Sequence, residues 1–522
     1  MRIVVYSTNS NRFEAADYEI TSFPFRAHEW EAVASAYPEH RFVLATQLPG
    51  TFLLDLSGGG LGEKAPSVEY AVLRCRAPAA LADEIALLRP DLAIAYSFWE
   101  PPFDWMALQD SMIGELLKEK GIRTLCNPSR SQLLCFDKAE ASRFFAARGF
   151  ACARCVHVKR ELYWCERGNS AIESNVYKEY IFRELETLRY PVIVKPAYGL
   201  SSYSMLRAVS PRQVIACLNS GKTKTDSLVE EYIDGIQAGA EIYGRKGAYT
   251  VLPPFLFSTD KWGITSPKQG IKLGPVGAAG GTGPANAASP DVSVPGDAWL
   301  SGRVLSAGAG TAAGAVPGGE EMDGGDGDGS AGVGLRRSLG ALEQTLTRLA
   351  TELELDGVAQ VDLVFSGGKW YIIEVNPRLS GLSDTNAIAF GKSPIERLLE
   401  AALGGGDAGF GGDNAGCGLP LSRCSLCGLL PYPRPVCNFK IPIMPQEDLR
   451  KIASLPYIRA VRQLENKAAR QKREVGYSEI IIEGEGGFAS IVRHLEELES
   501  LFPGSIEADF RAKLTGMAGL LE

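Results

Sequence analysis

Histidine is scarce in this chain: His28, His40, His157 and His494 are the only four in 522 residues, and none stands in a metal-ligand or triad-like motif. All four read as structural or surface residues, and a Ser/His/Asp mechanism has no support. No run of about 18 apolar residues is free of charges, so no membrane span is expected. The N-terminus, MRIVVYSTNS, reads as a strand and not as a signal peptide. No G-x-G-x-x-G follows that strand, which leaves a dinucleotide site unsupported. Positive charge is not in excess either. A net charge of -8 argues against a general nucleic-acid binder, but not against a local basic pocket for phosphates.

Eleven cysteines, an odd number scattered along the chain, fit a reducing cytosol better than a disulfide scaffold. Cys152 and Cys155 form one C-x-x-C, and Cys424 and Cys427 another. With Cys417 and Cys437 the second pair has the makings of a four-thiolate zinc site, but the spacing is irregular and free or buried thiols are the preferred reading. The apolar fraction of 45% and charged fraction of 22% are ordinary for a globular protein, and the length suggests three or four domains.

Short β-branched runs (RIVVYS, RFVLAT, YAVLRC, DLAIAYSF, IRTLCNP) mark the first ~125 residues, with helical stretches between several of them. That alternation predicts a parallel α/β domain. A helix is expected from Asp137 to a stop at Gly149. In YPVIVKP, alternation puts Val192 and Val194 on one face and Ile193 and Lys195 on the other. SLVEEYIDG reads as a strand ending in a turn. Residues ~274 to 334 are dominated by Gly, Ala, Ser, Pro and Asp and read as a mobile insertion. Its MDGGDGDG run is like a calcium loop only superficially, lacking the twelfth-position ligand and flanking helices. A helix begins at Leu335, and a Gly-rich linker from ~406 leads to C-terminal strands and helices that pack as a small α+β unit.

The richest stretch is VDLVFSGGKWYIIEVNPRLSG, Val361 to Gly381. It predicts two strands around a Gly-rich turn. Glu374 and Asn376 are two apart and share a face. A two-residue turn at Gly367-Gly368 sends Asp362 to the opposite face. A three-residue turn at Ser366-Gly367-Gly368, or an equivalent bulge, brings it alongside them. Acidic groups gathered on a sheet face need a cation, and magnesium takes one or two carboxylates together with nucleotide phosphates. The competing reading is a hairpin whose polar face meets water. Lys195, followed by AYGLSS, has the chemistry to neutralise phosphates, although strand lysines are more often solvated. Glu230 and Glu231 close an apolar strand and, alone, read as a wet strand end.

Taken in order, Asp137-Lys138, PVIVKPAYGLSS, LVEEYIDG and the acidic hairpin resemble the ATP-grasp superfamily, which includes D-alanine–D-alanine ligases, biotin carboxylases and L-amino-acid ligases. The resemblance covers roughly residues 126–405. It implies ATP and Mg2+ (or Mn2+) as cofactors. Lys138 and Lys195 would meet the phosphates. Tyr198, Gly199, Ser201 and Ser202 would belong to a closing loop, and Glu230 would accept from the adenine amino group. The backbone of Glu231, Tyr232 and Ile233 would follow the ring edge, and Gln237 (or Glu241) would take the ribose. Asp362, Glu374 and Asn376 would hold the metal, and Arg378 would stabilise the charge of an acyl phosphate. Lys261, Lys268 and Lys272 are candidates for the phosphate or substrate side. Tyr198, Trp262, Ser380, Gly381, Leu382 and Asp384 are candidates for the substrate pocket by position, although Asp384 reads better as a helix N-cap.

The expected architecture is α/β throughout. An N-terminal α/β domain (1–125) leads to a first ATP-grasp part (126–190). The nucleotide and metal region (191–405) carries the insertion, and a C-terminal α+β domain (406–522) completes the chain. The expected function is an ADP-forming ligase joining a carboxylate to an amine, amino acids among the candidate substrates. A bicarbonate-activating enzyme like biotin carboxylase, or a nucleotide-binding regulator without turnover, are the alternatives. The expected partners are small molecules, with no nucleic acid and no membrane, in a cytoplasmic protein. Oligomeric state is left open, a homodimer being one reading.

Overall fold

The computed structural model describes residues 1–8, 18–20, 27–47, 65–96, 106–198, 205–220, 225–261, 263–265, 270–278, 328–404, 433–466, 476–506 and 509–522. Near the N-terminus five parallel strands form a sheet in the order Glu69–Val72, Arg41–Thr46, Arg2–Ser7, Leu92–Ala95, Arg123–Leu125. Its strands are apolar on both faces because helices cover both. The alternating pattern in the sequence predicts this arrangement.

Two antiparallel sheets follow. The smaller has four strands, in the order Cys155–Val158, Ser227–Glu231, Val192–Pro196, Leu206–Ala208. Val156, Val192, Val194 and Val229 point to one side, where helices Val176–Glu186 and Pro211–Asn219 bury them. Lys195 and Glu230 belong to the other side.

The larger sheet has ten strands. From its outer edge run Lys369–Asn376, Gly357–Ser366, Ile236–Arg245, Phe255–Phe257, Ile271–Gly274, Val436–Ile441, Gly476–Glu483, Ile458–Asn466 and Tyr18–Ile20, with Ala248–Val251 paired onto Ile236–Arg245. The three C-terminal strands therefore continue the sheet of the acidic hairpin, joined to it by Ile271–Gly274 pairing with Val436–Ile441. One face of this sheet carries the main core, including Ala240, Leu256, Leu273, Val361, Phe439 and Ile482. Helices Leu339–Glu352, Phe488–Leu501 and Phe510–Leu521 supply the apolar residues that cover it. The other face carries a smaller apolar cluster of Phe255, Val436 and Ile481 under Leu382 and Phe390, and the polar groups of the hairpin lie on that face as well. Part of the expected insertion is ordered at its margins: Ile271–Gly274 is a strand, and a helix runs from Asp328 to Arg337. Residues 279–327 lie outside the described residues, and with them all of the MDGGDGDG run but its last two residues, Asp328 and Gly329. Among the described residues no helix is long and apolar enough to cross a membrane.

Candidate functional site

The acidic hairpin turns on two residues. Ser366 pairs with Lys369, and Gly367 and Gly368 both take positive φ, 56° and 76°. This is the two-residue turn whose backbone twist suits a hairpin, so of the two devices expected to bring Asp362 across, the bulge is the one present. A bulge supplies the missing half-step. Leu363 faces Ile372 but Asp362 faces Glu374, so Ile373 is the extra residue. Asp362, Glu374 and Asn376 thereby share one face, with Asn376 opposite Gln360. The outer edge of the bulged strand is tied down where the Ile372 N–H donates to the Ala151 carbonyl at 2.8 Å.

The same face holds Gln237, Gly239 and Glu241 of the next strand, since Gly239 pairs with Asp362. Gly239 is required there: a Cβ would stand 2.3 Å from the Phe257 ring that lies over it. The Asp362 carboxyl is pushed up to about 7, first by burial and then by the Glu374 charge, against the opposing pull of Gln360, Lys272 and Arg378. Gln360 donates to it at 2.6 Å. Two carboxylates and an amide supply oxygen donors, which fit a hard divalent ion such as Mg2+. Among the described residues no three or more His, Cys, Asp or Glu come together as a metal-binding group.

Lys138 reaches this face from the first turn of helix Lys138–Ala147, with its Nζ 3.4 Å from Glu374. The helix starts where expected. Asp137 is the N-cap, accepting from the Ala139 and Glu140 N–H groups at 2.9 and 3.1 Å. The Lys138 N–H donates to Ala197 at the end of the Lys195 strand. Lys195 is 3% exposed and pairs with Glu230 at 2.6 Å. Burial works to lower its pKa, but Glu230 and Glu374 outweigh it and hold the ammonium charged. The two antiparallel sheets thus present Lys195 and Glu230 on one side, and Asp362 and Glu374 on the other, close enough for Glu374 to act on Lys195.

Arg378 is buried at the end of the hairpin strand. Its guanidinium donates to Asn376 Oδ1 at 3.1 Å and to the Leu379 carbonyl at 3.4 Å. The turn between them is fixed by the Pro377 carbonyl, which accepts from both Asn127 and Gln132 at 2.9 and 2.5 Å. Neither residue stands out in the sequence, because both act through the backbone of a partner more than 240 positions away. Beside this turn lies a cavity of about 250 Å³, walled on its polar side by Lys138, Glu374, Asn376 and Arg378.

Other expectations fare differently. Glu230 is turned to Lys195, and its carboxylate pairs with that ammonium at 2.6 Å. Glu231 points away, bonded to Arg189 at 3.0 and 3.1 Å. The Glu231 and Tyr232 N–H groups already donate to Arg154 and Pro191, so those two donors are not offered to a ring edge. Gln237 is half-buried opposite Val364. Glu241 is not open to a ribose: it is fully buried and accepts from Tyr243, Ser380, Ser383 and Asn386 at 2.5–3.2 Å. Burial raises its pKa while those four donors oppose the rise. Asp384 is not an N-cap but sits in the first turn of helix Ser383–Phe390, just before which the Ser380 N–H donates to Ser383 Oγ and the Leu382 N–H to Ser380 Oγ, each at 3.0 Å. Tyr198 donates to the Asp137 carboxylate at 3.0 Å, and its ring lies 5.9 Å from Phe136.

Lys272, which no motif could place, lies on the site face. It pairs across to Phe257 and Asn438, acts on Asp362, and donates to the Gly381 carbonyl at 2.9 Å. Gly199, Ser201, Ser202, Trp262 and Lys268 lie outside the described residues, as do Cys417, Cys424 and Cys427. Cys437 is a buried thiol in the sheet, its pKa pushed up by burial.

Residues 335–382, the helix and the acidic hairpin, match the family model described as ATP-grasp domain. The arginine-specific large chain of carbamoyl phosphate synthase from Geobacillus stearothermophilus is 24% identical over 220 residues, 41% of this chain, and the match spans 15% of the length of that relative. Among solved structures, the L-amino acid ligase from Bacillus licheniformis superimposes with a TM-score of 0.55 at 14% identity, covering 96% of this chain and 97% of that one. The biotin carboxylase domain of 2-oxoglutarate carboxylase from Hydrogenobacter thermophilus gives a TM-score of 0.52 at 11% identity, over 98% of this chain and 95% of that one. N5-carboxyaminoimidazole synthetase from Staphylococcus aureus gives 0.51 at 10% identity, over 96% and 97%. In fold this chain is similar to these solved structures, and its helix and acidic hairpin match the ATP-grasp domain model.

Proposed function

We propose that this protein is an ADP-forming ligase that activates a carboxylate as an acyl phosphate and joins it to an amine, amino acids being one candidate class, in the cytoplasm. The observation that carries the reading is the bulged hairpin, which sets Asp362, Glu374 and Asn376 on one face with Lys138 at 3.4 Å from Glu374. ATP is the phosphoryl donor, held between the two antiparallel sheets. Asp362, Glu374 and Asn376 would hold Mg2+, which offsets phosphate charge when bound.

A carboxylate is too poor an electrophile for direct attack by an amine. In the first step its oxygen attacks the γ-phosphorus, the bond to the β–γ bridging oxygen breaks, and ADP leaves. In the second the amine nitrogen bonds to the acyl carbon, the bond from that carbon to the phosphate oxygen breaks, and the nitrogen loses a proton as phosphate departs. Lys138 and Lys195 keep positive charge beside the phosphates through both steps. Arg378, desolvated and braced by the Asn376 and Leu379 oxygens, is oriented in advance for the oxyanion of the second step. Bicarbonate belongs among the acids to be tested, since the fold is shared with a biotin carboxylase domain.

ADP release over a panel of acids and amines, with products read by mass spectrometry, tests the reading. Glu374→Ala is expected to lower ADP release at least a hundredfold with unchanged far-UV circular dichroism. Full activity in that variant rules the assignment out. Nucleotide binding with no ADP release across the panel favours a regulatory role instead.

A further inference from the structure

The cavity beside Arg378 is lined by unlike groups. The charged and amide side chains among them belong to the chemistry already described. Apolar lining comes from Leu108 of helix Met106–Glu119 and from Leu133, Cys135 and Phe136 of helix Ser129–Phe136. Leu133 and Phe136 are three apart and share a helix face. Leu133 is 54% exposed, and Tyr198, its ring against Phe136, is 37% exposed. Large apolar side chains gathered at the lip of a cavity are costly to leave in water, and such patches mark binding surfaces.

We infer that the carboxylate substrate is a small acid with an uncharged apolar tail, bound with its carboxylate toward Lys138 and Arg378 and its tail against Leu108, Leu133 and Phe136. This rests on the ligase reading and deepens it by naming the class of acid. Charge sets the orientation. The cationic side chains hold the carboxylate near the phosphoryl donor, and a charged tail laid against three apolar side chains would lose part of its hydration. Size sets the limit: about 250 Å³ lies below the usual range for drug-sized ligands, so the tail is of amino-acid side-chain dimensions. Tail recognition of this kind discriminates by roughly 10- to 200-fold for each methylene gained or lost.

The test is calorimetric binding of isocaproate and of glutarate, acids of similar length, to the full chain with MgADP present, repeated with L-leucine and L-glutamate. The apolar member of each pair is expected to bind at least tenfold more tightly. Leu133→Ser, a surface change that leaves folding intact, is expected to remove most of that preference while MgADP affinity stays within twofold. Leu133→Trp, which fills the lip, is expected to weaken isocaproate more than acetate. Equal or reversed preference in the wild type, or a Leu133→Ser effect of the same size on glutarate, overturns the inference. Selective binding without any ADP release would sink the ligase reading and leave the pocket standing; ADP release without selectivity would do the reverse.

Discussion

Asp362 sits in an unfavourable place when no cation is near. Its carboxyl is pushed up to about 7 from an ordinary 3.8, chiefly by burial and by Glu374 across the hairpin. Between those two values the folded metal-free chain binds more protons than the unfolded chain does. This group's contribution therefore lowers stability as pH rises from about 4 to 7, after which the loss is constant. Asp362→Asn keeps the shape and removes the charge. In EDTA at pH 8 it is expected to raise the stability of the metal-free protein by roughly 1–2 kcal/mol, read from urea denaturation. The gain should fade toward pH 4. With MgATP present the order should reverse, because the wild type gains a ligand-binding contribution that the variant has lost. No gain in EDTA at pH 8 would mean that the two carboxylates do not strain each other.

The hairpin shows what an element's sequence can and cannot disclose. Alternation alone puts Glu374 and Asn376 on one face, and Lys195 opposite Val192 and Val194, as found. The position of Asp362 depends on a register that turns on a single residue. Two glycines permit either turn, and nothing in YIIEVN marks Ile373 as the residue that bulges. Lys272 was equally hidden, because its strand is recognised only once it pairs with Phe255–Phe257 and Val436–Ile441. Glu241 reads as an alternative to Gln237 for the ribose, yet folding makes it the bracket that ties its strand to the segment after Arg378. The turn itself gives a sharp prediction. Both central residues have positive φ, so Gly368→Val is expected to cost about 1–2 kcal/mol. Gly367→Asn should cost under about 0.5 kcal/mol, since Asn-Gly is a preferred pair for this turn. Denaturation midpoints of the two variants decide it; a Gly368→Val protein as stable as the wild type would mean that the turn is not of this kind.

At the scale of the whole molecule, the composition break near 406 suggests a detachable C-terminal domain, but the sheet runs through it. Val436–Ile441 is bonded to Ile271–Gly274, which in turn leads through Phe255–Phe257 to the strand opposite Asp362. The apolar face behind the acidic hairpin is closed by residues from the last ninety positions, among them Phe439, Ile480, Ile482, Phe488, Leu495 and Leu514. Withdrawing six such side chains forfeits roughly 10 kcal/mol or more of apolar burial, comparable with the entire stability of a typical domain. It would also bare the Ile271–Gly274 edge as a template for aggregation. A chain ending at Gly404 is therefore expected to be insoluble or to lack a cooperative unfolding transition, even though it retains every proposed metal and phosphate residue. Co-expression of 1–404 with 430–522 should restore a soluble complex, because the strand pairing and the core are non-covalent. Size-exclusion chromatography and thermal denaturation of the two preparations test this. A well-folded, nucleotide-binding 1–404 fragment would show that the C-terminal strands are an accessory to the site and not part of the sheet that holds it.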